Sequence, residues 1–309
     1  MTSFNRLATA NTYDNALRNI TQRQSALSGL QENLTSGKRV VRASDDPSSA
    51  AQAERALTRM SRIVTDQRAL ASQSNAIATA ESTLGDVTNA LQTFRELVIS
   101  AGNGSFTQKD RQTVAVQLQG LRDQIVSLSN TKDTNGQALF GALGSALAPF
   151  VEPPPAAYTF DGLPGQSSSS EVAIPFSLDG DSAFMFDVSD GATSGSLFGA
   201  LDKAITDIGG ATTSAQGATA VSTALKDIDI GANRISAVRG QAGELLNRAD
   251  RISTNQDKRS IQLEADRSRA EDLDMVKGIA DFQNQQTGYQ AALQSYAQMQ
   301  KLSLFNYIG

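Results

Sequence analysis

The chain has 309 residues, 39% of them hydrophobic, which is enough to bury a core, and it contains neither Cys nor His. That excludes disulfides, thiolate zinc sites, thiol nucleophiles and the commonest general base and metal ligand, and nothing left in the composition implies a cofactor. With 27 Lys and Arg against 32 Asp and Glu, a net charge of −5, neither nucleic acid nor an anionic membrane surface is an expected partner.

The first residues, Met1 to Leu7, carry no apolar run and no small-residue cleavage site, so an ordinary secretory signal is not expected. Tyr13, Ile20, Leu27, Leu34 and Val41 then recur every seven residues, with Leu17 and Leu30 in the adjacent row. This spacing predicts a helix over about 10–40 with one narrow apolar stripe, the pattern of a coiled-coil arm. Ser44-Asp45-Asp46-Pro47 ends it, because a short acceptor side chain followed by proline is a helix start. Asp45 and Asp46 are therefore read as a cap, not as an acid/base pair, and Lys38, Arg39 and Arg42 as a solvated or salt-bridging face.

A second, longer helix is predicted from Ile63, Leu70, Ile77, Leu84, Leu91 and Val98, again seven apart. Ala101 to Gly104 breaks it, and Val114, Leu118, Leu121, Ile125 and Leu128 predict a third helix folded back as a hairpin. Thr134 to Val151 is uncharged, but its glycines and Pro149 argue against a membrane span. From about residue 150, Pro153-Pro154-Pro155, a serine run and β-like segments at Glu171–Leu178 and Ser182–Val188 predict a small, partly β insertion. Residues 150–230 hold eleven acidic and two basic side chains, whereas 1–42 hold two acidic and six basic. Asp133 to Gly136 and Asp179 to Asp181 lack a full calcium-ligand series and read as turns.

Helical spacing returns at Leu197–Ile208 and through Leu225, Ile228, Ile235, Val238, Leu245 and Ile252. It continues into a last arm where Met275, Phe282, Tyr289 and Tyr296 fall seven apart, with Ile279 and Leu293 beside them. The two ends carry matching stripes, so the expected fold is mainly α: an elongated helical hairpin, or coiled-coil bundle, of N- and C-terminal segments with a small α+β insertion at its distal end. The expected domains are 1–45 with 265–309 (terminal coiled coil), 46–149 with 196–264 (helical rod) and 150–195 (insertion). A lone arm of about thirty residues buries too few large side chains to offset its ordering entropy, so folding coupled to assembly is expected; the alternative is a coiled coil complete in the monomer.

Leu34-Thr35-Ser36-Gly37-Lys38-Arg39-Val40 with Ala43-Ser44-Asp45-Asp46-Pro47, the stretch Asn130 to Gly141, and Gln285 to Ile308 resemble, in order, signature segments of the bacterial flagellin superfamily. Ala138 stands where that family more often has an aromatic. Pro47, the short acidic insertion and the Phe305 to Ile308 extension are more similar to the superfamily's hook–filament junction branch than to filament flagellin, with a short filament flagellin as the alternative. The resemblance implies a structural subunit without enzymatic activity, exported unfolded through the flagellar type III channel to the extracellular flagellum. The partners it implies are hook-associated protein 1, flagellin, copies of itself and a cytosolic export chaperone on the C-terminal arm. The expected assembly surface is the paired stripes Tyr13, Leu17, Ile20, Leu27, Leu30, Leu34, Val41 and Met275, Ile279, Phe282, Tyr289, Leu293, Tyr296, with Leu302, Leu304 and Phe305 beyond them.

Overall fold

The computed structural model describes residues 3–144, 148–151, 158–165, 167–186 and 195–308, with side chains between 11 and 300, residue 12 apart. In chain order it forms α1 (Ser3–Ser36), α2 (Pro47–Ala101), α3 (Gln108–Ser129), β1 (Phe150–Val151), β2 (Thr159–Phe160), α4 (Gly180–Phe184), α5 (Leu197–Gly210), α6 (Ser214–Glu271) and α7 (Met275–Ile308). The protein is mainly α, as the spacing requires, and β1 pairs antiparallel with β2 in a two-stranded sheet, Phe150 opposite Phe160.

Four local expectations are corrected. The first helix stops at Ser36, short of 40, because Gly37 takes a left-handed φ of +70° that a residue with a Cβ adopts only at a cost. Val41 therefore lies in the loop after α1, off its stripe. The last helical run is interrupted at residues 272–274, so α6 and α7 are separate elements. The β-like segment Glu171–Leu178 forms no strand: its end pairs instead with residues 139–142, the Leu178 N–H donating to Leu139 O at 2.9 Å and the Ala142 N–H to Leu178 O at 3.1 Å. Ser182 falls inside α4, whose start Asp179 caps by accepting the Asp181 N–H; residues 187 and 188 lie outside the described residues.

The chain divides into two compact units, residues 1–62 with 258–309 and residues 63–257, so that α2 and α6 each contribute to both. The second holds the large core. Ile77, Leu84, Val87, Phe94 and Val98 of α2, Val114, Leu118 and Ile125 of α3, and Ile228, Ile235 and Val238 of α6 are buried in one cluster. The turn from α2 to α3 is closed by the Thr107–Asp110 capping box, in which each residue's side chain accepts the other's N–H.

The described residues of the insertion contribute to an aromatic cluster. Phe198 of α5 lies with its ring centroid 4.8 Å from Tyr158 and 5.3 Å from Phe150, while Phe184 lies 5.1 Å from Phe150 and 5.6 Å from Phe140. Arg122 of α3 clamps α5 through two bonds to Asp202, at 2.7 and 2.8 Å, and lies over the Tyr158 ring. Burial works against this guanidinium's charge, but the Asp202 carboxylate outweighs it and raises the pKa. The segment 169–174 is held by Gln73, which accepts the Ile174 N–H at 3.1 Å, and by Arg248, which donates to Ser170 O at 3.2 Å.

Phe198→Ala is expected to lower the stability of this unit by ~3–5 kcal/mol, because its ring is fully buried among three others. Val116→Ala, at a side chain 73% exposed, is expected to change it by less than ~0.5 kcal/mol. Urea unfolding followed by far-UV circular dichroism separates the two.

Candidate assembly interface

The terminal unit is built differently. Among the described residues its buried apolar side chains are Val40, Ala53, Ala56 and Ala270, all small or β-branched, and none belongs to the large core cluster. Among the described residues of α1 and α7, only Gly278 is buried.

These two helices nevertheless pack on each other, antiparallel. The rings of Tyr13 and Tyr296 meet edge to face, centroids 5.4 Å apart. Near the other end a Cβ added at Gly278 would lie 3.2 Å from Leu34 Cδ2 and 2.9 Å from Leu273 Cδ2, so the bare backbone there allows close approach. Stepping seven residues along each helix from the tyrosine pair places Ile20 level with Tyr289, Leu27 with Phe282 and Leu34 with Met275. The two rows read from the sequence thus share one register. Tyr13, Ile20, Leu27, Leu30, Leu34, Phe282, Tyr289 and Tyr296 are half-buried.

The flanking row is left open. Leu17 is 55% exposed, Ile279 46% and Leu293 41%, and at the inner end of the facing row Met275 is 45% exposed and its neighbour Val276 83%, large apolar side chains that the paired arm does not cover. Leu302, Leu304 and Phe305 lie on α7, with side chains outside the described residues.

At the inner end of the arm the two helix breaks face each other and are laced together. The Leu273 N–H donates to Gly37 O at 2.9 Å, and the Arg39 and Val40 N–H groups donate to Glu271 O at 2.7 and 3.3 Å. Lys38 pairs with Glu271, Arg42 with Glu32 at 2.6 Å, and Arg39 with Asp46 at 3.3 Å while also donating to Ala270 O at 2.7 Å. The basic trio thus forms ion pairs within its own chain. Asp45 accepts the Val41 and Arg42 N–H groups, and Asp46 caps α2 through the Ser49 N–H and Ser48 hydroxyl. The Asp272-Leu273-Asp274 break was hidden from periodicity, although Asp274 repeats the cap of Asp46 by accepting the Val276 and Lys277 N–H groups, both at 3.1 Å.

Among the described residues no helix is long and apolar enough to cross a membrane, and no cluster of three acidic side chains could hold a metal ion. The geometry offers packing surfaces.

The family model for the bacterial flagellin N-terminal helical region matches residues 7–144, and that for the C-terminal helical region matches residues 225–308. The chain belongs to the bacterial flagellin family. Within that family it is 29% identical to flagellar hook-associated protein 3 of Salmonella typhimurium over 314 aligned residues, covering 97% of this chain and 98% of the relative. It is 27% identical to the flagellin of Bacillus subtilis over 272 residues, 87% of each chain. A solved flagellar hook-associated protein from Vibrio parahaemolyticus shares the flagellin-family fold at a TM-score of 0.64 and 21% identity, over 74% of this chain and all of that one. The N-terminal match spans α1, α2 and α3, the C-terminal match most of α6 and α7, and the aromatic cluster around Phe198 lies in the stretch between.

Two measurements check this geometry. In hydrogen exchange of the monomer, amides of residues 13–34 and 280–300 are expected to exchange at least ~100-fold faster than those of α3, because so little of the arm is buried; equal protection would contradict it. Hydrogen bonds from Ser49, hydroxyl and N–H, and from Ser48 hold the Asp46 pKa well below the usual carboxylate range. A lowered folded-state value means that the cap's contribution is complete above the unfolded pKa and is lost as pH falls through the folded one. In an NMR titration Asp46 should therefore remain ionised near pH ~3, where ordinary aspartates protonate, and Asp46→Asn should remove the acid-linked loss of protection at the Ser49 amide.

Proposed function

We propose that this chain is a structural subunit of the bacterial flagellum that joins the hook, through hook-associated protein 1, to the flagellin filament. It is exported by the flagellar type III system, with a cytosolic chaperone holding the C-terminal arm until export. The observation that carries the reading is the near end-to-end correspondence, at 29% identity, with flagellar hook-associated protein 3. The match to Bacillus subtilis flagellin covers less of both chains at lower identity, which favours the junction over a filament role.

The physical argument runs in the same direction. α1 and α7 meet along a narrow seam and leave Leu17, Met275, Ile279 and Leu293 open to solvent. Neighbouring copies, hook-associated protein 1 on one side and flagellin on the other, would cover those side chains, so ordering of the arm and incorporation would proceed together. Such a joint is heterologous, one surface toward the hook and a different one toward the filament. A chain with no Cys reaches the outside with no disulfide to form or break.

A strain lacking this protein is expected to build complete hooks while flagellin accumulates unpolymerised in the medium. Complementation with Leu27→Asp or Phe282→Asp should give normal secretion, unchanged circular dichroism of the central helices and no filaments. Normal filaments in either variant would remove the seam from the interface, and long homopolymers of the purified protein would make it a flagellin.

A further inference from the structure

A second surface of the terminal unit is not used by the arm. The first turns of α2 and the last turns of α6 enclose an open cleft of about 430 Å³. Ala56 and Leu263 line it with apolar surface, Ser49 lies at one end, and Arg55, Arg59 and Arg269 supply the charge. Arg39 closes the Ser49 end, donating to Ser49 Oγ at 3.2 Å and to Ala270 O. The lining contains one acid, Asp266, and Arg269 already pairs with it. Arg55 donates only to Ala51 O of its own helix, at 3.0 Å, and neither Arg55 nor Arg59 has a carboxylate partner among the described residues. Two exposed guanidinium groups, one helical turn apart, therefore stand beside a partly apolar cleft with their bidentate capacity unspent.

The cleft, about 430 Å³ and open to solvent, has room for more than a single small anion. It fits side chains that bring both methylene stems and carboxylates. This acidic chain has such groups to spare: Asp161, Glu171 and Asp281 are exposed, with no ion-pair partner among the described residues. Surplus cation on one face and surplus acid elsewhere on the same chain is the complementarity that a heterologous contact between copies needs. We infer that the cleft seats exposed carboxylate side chains of a second copy of this chain, with Arg55 and Arg59 as the recognition pair. The inference rests on the proposed role as an assembling subunit and names a contact between its copies.

Carbodiimide coupling tests it, because the reagent joins a lysine amine only to a carboxylate in direct contact. Intact flagella are isolated from a strain whose sole copy carries Arg55→Lys and Arg59→Lys, then treated and separated on a denaturing gel. The expected product is a covalent dimer of this chain, in which peptide mapping finds an amide between position 55 or 59 and an Asp or Glu of the other copy. Coupling only to Asp266 of the same chain, to another flagellar protein, or at other lysines alone overturns the inference. As a second arm, Arg55→Glu with Arg59→Glu, secreted and with unchanged circular dichroism, is expected to be incorporated at least ~10-fold less than the unaltered chain; incorporation at the unaltered level overturns it equally. Absence of the unaltered chain from flagella would instead defeat the proposed function itself, so the two failures are distinguishable.

Discussion

The antiparallel pairing of α1 with α7 along a seam one side chain wide is the constraint on which the rest depends. Tyr13 against Tyr296 fixes the register at one end, and the bare backbone of Gly278 beside Leu34 fixes it at the other. A two-helix coil can bury only the rows that face each other, so every apolar residue in a flanking row stays in water until something else arrives. Leu17, Ile279 and Leu293 are such residues, while Met275 stays 45% exposed at the inner end of the facing row itself. The half-buried state of the seam follows from helix geometry and the number of helices available, whatever the quality of the packing.

The two compact units divide the work accordingly. Residues 63–257 close their core within the chain, with Phe94, Phe140, Phe184 and Phe198 fully buried and Arg122 locked to Asp202. Among the described residues, 1–62 with 258–309 bury only small or β-branched apolar side chains, Val40, Ala53, Ala56 and Ala270, and rely on backbone and ion-pair lacing where their helices break. Stability concentrated in one unit and complementarity in the other is what a subunit needs if it is to remain folded in part while its joining surface stays available.

Much of this was legible in the sequence because a seven-residue period survives any tertiary context. The rows Tyr13 to Leu34 and Met275 to Tyr296 fell on α1 and α7 as read, and Asp45-Asp46-Pro47 marked the start of α2 through its capping chemistry. What was missed is where a local signal opposed the period. Val41 continues the count of seven, but Gly37 had already turned the chain, and a periodic count does not register a change of φ. The break at Asp272-Leu273-Asp274 contains neither Gly nor Pro, so only the cap of Asp274 signals it. Glu171 to Leu178 alternates like a strand, yet its backbone partner is residues 139–142, and such a distant pairing leaves no trace in local pattern.

The uncovered row also bears on how a solitary chain survives. Exposed Leu17, Ile279 and Leu293 on a half-buried helix pair invite promiscuous association before the proper neighbour is reached. Charge provides a counterweight, since residues 1–42 carry six basic and two acidic side chains, and like-charged arms repel one another in solution. Lys38, Arg39 and Arg42 do not contribute to that repulsion, because each is tied to an acid of its own unit. Arg18 and Arg23, further along α1, carry it instead, with no ion-pair partner among the described residues, and Arg23 reaches across to Gly288. α1 thus carries Leu17 of the open row together with the unpaired Arg18 and Arg23, so whatever covers this helix meets apolar surface and positive charge side by side.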